Sequence, residues 1–240
     1  MKKLFIVLAL AAALPAITDC NTVKGWFTGA GNWEIKKLPD GGKYEGWWKN
    51  GKPFREGTAT YANGNRYQGE WADGKMQGKG TFTFASGVKY EGEFRGDRKN
   101  GKGAYTFANG NRFEGMFTDD KMADEGTLVM PGGDKYTGQF KNGVIEGKGA
   151  FIYSDGKKYE GMLKNGKYHG EGVYSGPAGE KYSGTFVNGL QEGRGIFNFA
   201  NGEKYEGEFR MGQLHGNGVY HYKDGSVRRG KWINGIAVDK

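Results

Sequence analysis

The chain has 240 residues, of which 46 are Gly and 15% are aromatic, with a formal charge of +8 from 35 Lys and Arg against 27 Asp and Glu. Glycine at well over twice the average of about 7% excludes a helical protein, because each Gly costs roughly 1 kcal/mol against Ala in a helix interior. Five prolines exclude collagen, the aromatic content excludes a disordered chain, and interleaved charges exclude a polycation.

Lys2 and Lys3 precede an unbroken apolar run from Leu4 to Leu14, followed by Pro15. That is the build of a secretory signal peptide. The run reaches only about 17 Å as a helix, too short for a bilayer core of about 30 Å. Ala16 and Thr18 supply the small residues a signal peptidase needs, so residues 1–18 are expected to be removed and the mature chain to begin near Asp19. Cys20, the single cysteine, stands where a lipoprotein would be acylated, although Asp19 before it fits that motif poorly. Plain cleavage and acylation both stay open. One thiol excludes an internal disulfide framework.

Residues 19–43 read as an irregular cap and lead-in with Trp26, Phe27 and Trp33. From Tyr44 onward the chain is one 23-residue unit repeated without insertion or deletion. Units begin at Tyr44, Tyr67, Tyr90, Phe113, Tyr136, Tyr159, Tyr182 and Tyr205, filling 44–227, and 228–240 form a partial unit and C-terminal cap. Position 3 of every unit is Gly, as are positions 14 and 21, and with positions 8 and 12 these hold 38 of the 46 glycines.

Each unit contains two alternating runs. A dipeptide such as Asn165-Gly166 joins them, and a second turn such as Ala200-Asn201-Gly202 follows. Asn-Gly between alternating runs predicts a β-hairpin, since both residues of that turn take positive φ. Successive hairpins predict an antiparallel meander advancing about 10 Å per unit, elongated to about 80 Å. Strand alternation puts Tyr67, Gly69 and Trp71 on the same face as Gly80, Phe82 and Phe84, making an aromatic and glycine carpet. The opposite face carries mixed charge, as in Lys89 and Glu91.

The pattern Tyr-x-Gly-x-[Trp/Phe]-x-x-Gly-x-x-x-Gly-x-Gly-x-x-x-[Tyr/Phe]-x-x-Gly at period 23 resembles the MORN repeat over residues 44–240. The resemblance implies an all-β, elongated, twisted single-layer antiparallel sheet with a groove along one side. It also implies a binding scaffold, not an enzyme, without a cofactor. MORN arrays are associated with membrane or lipid contact in some proteins and with protein partners or dimerisation in others. Repeat 4 departs most from the pattern, with Phe113, Asp120, Asp124 and Met130 at positions that are mostly Tyr, Gly, Gly and aromatic in the other repeats, leaving a bend and a partner site both open.

Three functional expectations follow. The first is an exported, periplasmic or secreted scaffold binding a protein or peptide along an aromatic groove, touched most at Tyr90, Phe94, Tyr136, Phe140, Tyr182 and Phe186. The alternative is an envelope-associated protein that meets anionic lipid through Lys89, Lys135, Lys158 and Lys181 or is anchored at Cys20. Exposed first and last strands also leave end-to-end or homodimeric association open. Catalysis is not expected: His169 and His215 recur two units apart, about 20 Å, and no nucleophile elbow, zinc-protease motif or phosphate loop is present. Nucleic acid is disfavoured by the interleaved acids. No metal site is assigned; Asp119, Asp120, Asp124 and Glu125 are read as solvated turn residues before a hard-cation site.

Overall fold

A computed structural model describes residues 31–238. The expected signal segment, Cys20, Trp26 and Phe27 lie outside the described residues. The strands in chain order are β1 (Asn32–Lys37), β2 (Lys43–Lys49), β3 (Lys52–Thr60), β4 (Arg66–Ala72), β5 (Lys75–Thr83) and β6 (Lys89–Arg95). They continue as β7 (Arg98–Thr106), β8 (Arg112–Thr118), β9 (Lys121–Val129), β10 (Lys135–Lys141), β11 (Val144–Ile152), β12 (Lys158–Lys164) and β13 (Lys167–Ser175). The last are β14 (Lys181–Val187), β15 (Leu190–Asn198), β16 (Lys204–Arg210), β17 (Gln213–His221), β18 (Val227–Ile233) and β19 (Ile236–Val238). Each pairs antiparallel with its chain neighbours, giving one all-β meander.

Turn chemistry sets this topology. Within a repeat, Asn165 (φ 52°) and Gly166 (φ 73°) both adopt left-handed backbone, as the Asn-Gly hairpin requires. Between repeats, Gly64 at φ 84° donates to the Tyr61 carbonyl at 3.0 Å while the Tyr61 amide donates to the Asn65 carbonyl at 2.8 Å. That is a three-residue loop closed by a left-handed glycine. Met211 takes φ 49° at a turn position held elsewhere by Asn, Asp or Gly, so it carries local strain.

The lead-in differs from expectation. Asn32–Lys37 is a regular strand, in register with β2 from Asn32↔Trp48 to Lys37↔Lys43, and the Leu38–Gly42 turn closes like those between repeats. It is half of a preceding repeat. Glu34 and Lys36 stand where Gly and an aromatic would be, and the Lys36 ammonium lies 4.4 Å from the Trp48 ring centre.

Glycines at positions 3 and 14 pair strand to strand, as Gly149↔Gly161↔Gly172↔Gly184 show, forming one row across the sheet from Gly46 to Gly230. On one face the position-1 rings lie flat on this row. Tyr44, Tyr67, Tyr90, Tyr136, Tyr182 and Tyr205 are fully buried there. Each hydroxyl donates to the carbonyl three residues on, for example Tyr159 to Met162 at 2.7 Å and Tyr67 to Glu70 at 2.9 Å. Position-5 rings insert edge-on between successive tyrosines: Tyr67–Trp71, Tyr67–Phe94, Tyr90–Phe94 and Tyr90–Phe117 all have centroids within 4.9–5.0 Å. Such pairs contribute about 0.5–1.5 kcal/mol each beyond the buried area. A single layer thus builds a core without a second layer, because the missing Cβ atoms leave room for rings.

Beyond the glycine pair the register slips. Gly69 faces Gly80, but Trp71 faces Met76, so the second strand carries two extra residues. Position 12 inside this bulge is left-handed, as at Gly78 (φ 60°) and Gly216 (φ 59°). Arg55 (φ 59°) and Asp124 (φ 53°) adopt the same backbone without being glycine.

Candidate functional site: a glycine-floored groove

The ring face is occupied by its own packing. Tyr90 (0% exposed), Phe94 (4%), Tyr136 (0%), Phe140 (5%), Tyr182 (0%) and Phe186 (3%) are brought together as core, so these six rings do not line an open groove. Half-buried Phe82, Phe84, Tyr105, Phe107, Phe197, Phe199 and Tyr220 flank them and leave a surface aromatic cluster at that face.

The groove lies on the opposite face. There the glycine row is bare backbone, bounded on one side by positions 2 and 15 and on the other by positions 4 and 13. From Thr137 on β10 to Gly230 on β18 it encloses about 1500 Å³. A second stretch of about 1220 Å³ runs from Trp33 to Lys102, and a smaller one of about 450 Å³ spans repeats 3 and 4 between them.

The two long stretches differ in chemistry. In the first repeats position 15 is Thr58, Thr81 and Ala104; toward the C-terminus it is Ala150, Val173, Ile196 and Val219. Ile196 is 41% exposed and Met162 38%, and neither contributes to the ring core. Part of the polar wall is tied to the bulges: Glu70 accepts from the Lys79 amide at 2.8 Å, Gln139 from the Lys148 amide at 2.8 Å, and Glu208 from the Asn217 amide at 3.2 Å. These side chains fold over Gly78, Gly147 and Gly216, which is why a side chain at position 12 would collide with them. The sequence shows this face as a ladder of mixed charge whose lysines are the lipid candidates. The signal that reveals it is the change at position 15 from Thr to Val and Ile.

Of the lysines set aside for lipid contact, Lys89 pairs with Glu91 at 2.7 Å. Lys135, Lys158 and Lys181 form no ion pair among the described residues and line one edge of the groove face. Two of the acidic turn residues have structural partners. Asp120 accepts from the Lys99 amide and pairs with its ammonium, both at 3.0 Å, and Asp119 faces Arg98 at 3.5 Å. Burial works against the Asp120 carboxylate, but the Lys99 bonds hold it below the usual range. Asp97 likewise accepts from the Met76 amide at 2.8 Å, stapling one hairpin tip to the previous repeat. Among the described residues no three Asp, Glu, His or Cys converge as a metal set would.

The sequence profile of the MORN repeat matches residues 44–66, 67–89, 90–112, 136–158, 159–181, 182–204 and 205–227. The chain belongs to the MORN-repeat family. The unit between the matched blocks, 113–135, is the one with Phe113 in place of tyrosine, and it folds in register as β8 and β9. MORN repeats are a non-catalytic scaffold, in keeping with a site made of a groove and not of convergent reactive groups. No curated protein sequence matches the chain. Among solved structures it is similar to the SAS-4 TCP domain of Drosophila melanogaster in complex with a proline-rich motif of Ana2, at 13% identity over 85% of this chain and 96% of that one, with a TM-score of 0.40. It is also similar to the TCP10 domain of Danio rerio CPAP in complex with a STIL peptide, at 16% identity over 83% and 84%, with a TM-score of 0.28. Both likenesses are too slight to bear on function.

Proposed function

We propose that this MORN array is an exported scaffold that holds a segment of a partner protein in the glycine-floored groove. One observation carries the reading. The fold consumes its rings on one face and leaves, on the other, a long groove with exposed apolar side chains that no part of the described chain covers. Positions 3 and 14 direct their Cβ side to the ring face, so on the groove face they present only main chain, which a ligand main chain can approach closely.

Export rests on the Lys2–Pro15 segment. The mass of the mature N-terminus reads it directly, since cleavage near Asp19 and acylation at Cys20 differ by a lipid. An envelope-surface reading is favoured by one feature, Lys135, Lys158 and Lys181, which form no ion pair among the described residues, each able to contribute up to about 1 kcal/mol against anionic lipid. Steep loss of vesicle binding with salt would mark it.

The groove reading is tested by affinity capture from an extract of the source cells, comparing wild type with Ile196→Glu on the groove face and Phe199→Ala on the ring face. The expected result is a partner retained by Phe199→Ala and lost, by about tenfold or more in affinity, with Ile196→Glu. The reverse pattern would move the site to the aromatic cluster.

A further inference from the structure

The groove runs across the strands, so a ligand lying in it meets an equivalent set of side chains once per repeat. Two strand spacings of about 4.8 Å make that interval about 9.6 Å. In the C-terminal stretch Ala150, Val173, Ile196 and Val219 occupy the same repeat position in four successive repeats, each beside the glycine row. An occupant that offers like side chains to all four must therefore repeat at about the same interval.

Regular peptide conformations differ sharply on this point. An extended strand advances about 3.3 Å per residue and alternates faces, so its same-face side chains recur near 6.6 Å, and the residue three on, which comes nearest the repeat interval, points away from the wall. An α-helix needs seven residues, about 10.5 Å, and accumulates roughly 3 Å of error from the first to the fourth repeat. A polyproline II helix has three residues per turn at about 3.1 Å, a pitch of about 9.3 Å, and stays within about 1 Å across the same four repeats. Its backbone makes no internal hydrogen bonds and needs polar neighbours. The wall opposite the apolar row supplies both signs, with Glu171 and Arg194 at successive position-13 sites.

We propose that the groove between β11 and β18 takes a left-handed polyproline II segment of a partner protein, about twelve residues long, with an apolar side chain at every third position. The N-terminal stretch is not its seat, because Thr58 and Thr81 replace the aliphatic knobs there. This assignment rests on the groove reading above and names the class of segment that the groove holds.

The test titrates the full chain with three labelled peptides: four repeats of Leu-Pro-Pro, a scramble of the same composition in which leucines no longer fall every third residue, and an alternating Thr-Val peptide of equal length. The period-three peptide is expected to bind about tenfold tighter than its scramble, and Ile196→Glu is expected to erase that advantage. Ile196→Thr, which places at this position the residue found at Thr58 and Thr81, keeps the fold and should lose most of it. Equal binding of the period-three peptide and its scramble overturns the polyproline II assignment. Tight binding of the alternating peptide alone, abolished by Ile196→Glu, overturns it while leaving the groove as the site. Binding of every peptide indifferent to Ile196→Glu overturns both.

Discussion

Gly172→Ala is expected to destabilise the array by about 3 kcal/mol, whereas Gly230→Ala, in the same row of glycines, is expected to change stability by less than about 0.5 kcal/mol. Neither residue has left-handed backbone, so the comparison isolates space from conformational strain. A Cβ on Gly172 would stand 2.5 Å from the Tyr159 hydroxyl oxygen and 2.7 Å from two carbons of its ring. That ring is 1% exposed, and its hydroxyl is bonded to the Met162 carbonyl, so it cannot tilt away without losing the bond and the edge contact with Phe186 at 5.2 Å. Overpacking costs about 1–3 kcal/mol and the lost hydrogen bond about 1 kcal/mol more. At Gly230 nothing lies within 4 Å of an added Cβ, because position 1 of the last unit is Arg228 and no ring covers the glycine. Urea unfolding of the two variants reads the difference. Equal losses would mean that the rings do not rest on the glycine row.

Alkali should unfold the array between about pH 10 and pH 12. Burial pushes Tyr44, Tyr136, Tyr159, Tyr182 and Tyr205 up to about 12, and Tyr67 and Tyr90 higher still. In an unfolded chain the same hydroxyls ionise near 10. The folded array therefore keeps protons that the unfolded chain releases. Stability is complete below about pH 10 and is lost as pH rises through the folded values near 12. The seven hydroxyls act together, since each donates to a main-chain carbonyl that would repel a phenolate. Tyrosinate absorbance and circular dichroism followed in one titration should show the buried set ionising only as the β signal disappears. If all 14 tyrosines ionised near pH 10 with the sheet intact, the buried hydroxyl bonds would be refuted.

Much of the fold was legible because each repeat writes the same local instructions. Asn165-Gly166 announced its turn, Gly202 closed the next, and Tyr67 with Gly69 and Trp71 announced one face. The half-repeat at Asn32–Lys37 escaped because Glu34 and Lys36 break the Gly and aromatic pattern, while main-chain pairing to β2 holds the strand regardless. Alternation sorted the faces but not their roles. Rings at positions 1 and 5 read as an open aromatic groove, and only the flat seating of Tyr136 on Gly138 and Gly149 shows that they are consumed as core. The two-residue bulge at Gly69 was invisible for a similar reason: Glu70 closes it by reaching the Lys79 amide, nine residues on. Val173, Ile196 and Val219, which we propose hold the partner, sit on the face whose charged residues dominate the sequence pattern.

Ile196 and Phe197 are adjacent in β15 and point to opposite faces. A photoreactive amino acid placed at each in turn, with the bound partner cross-linked and quantified, separates the two faces at a single site. The account predicts strong cross-linking from 196 and little from 197. Cross-linking from 197 and not from 196 would contradict it and return the binding site to the aromatic face.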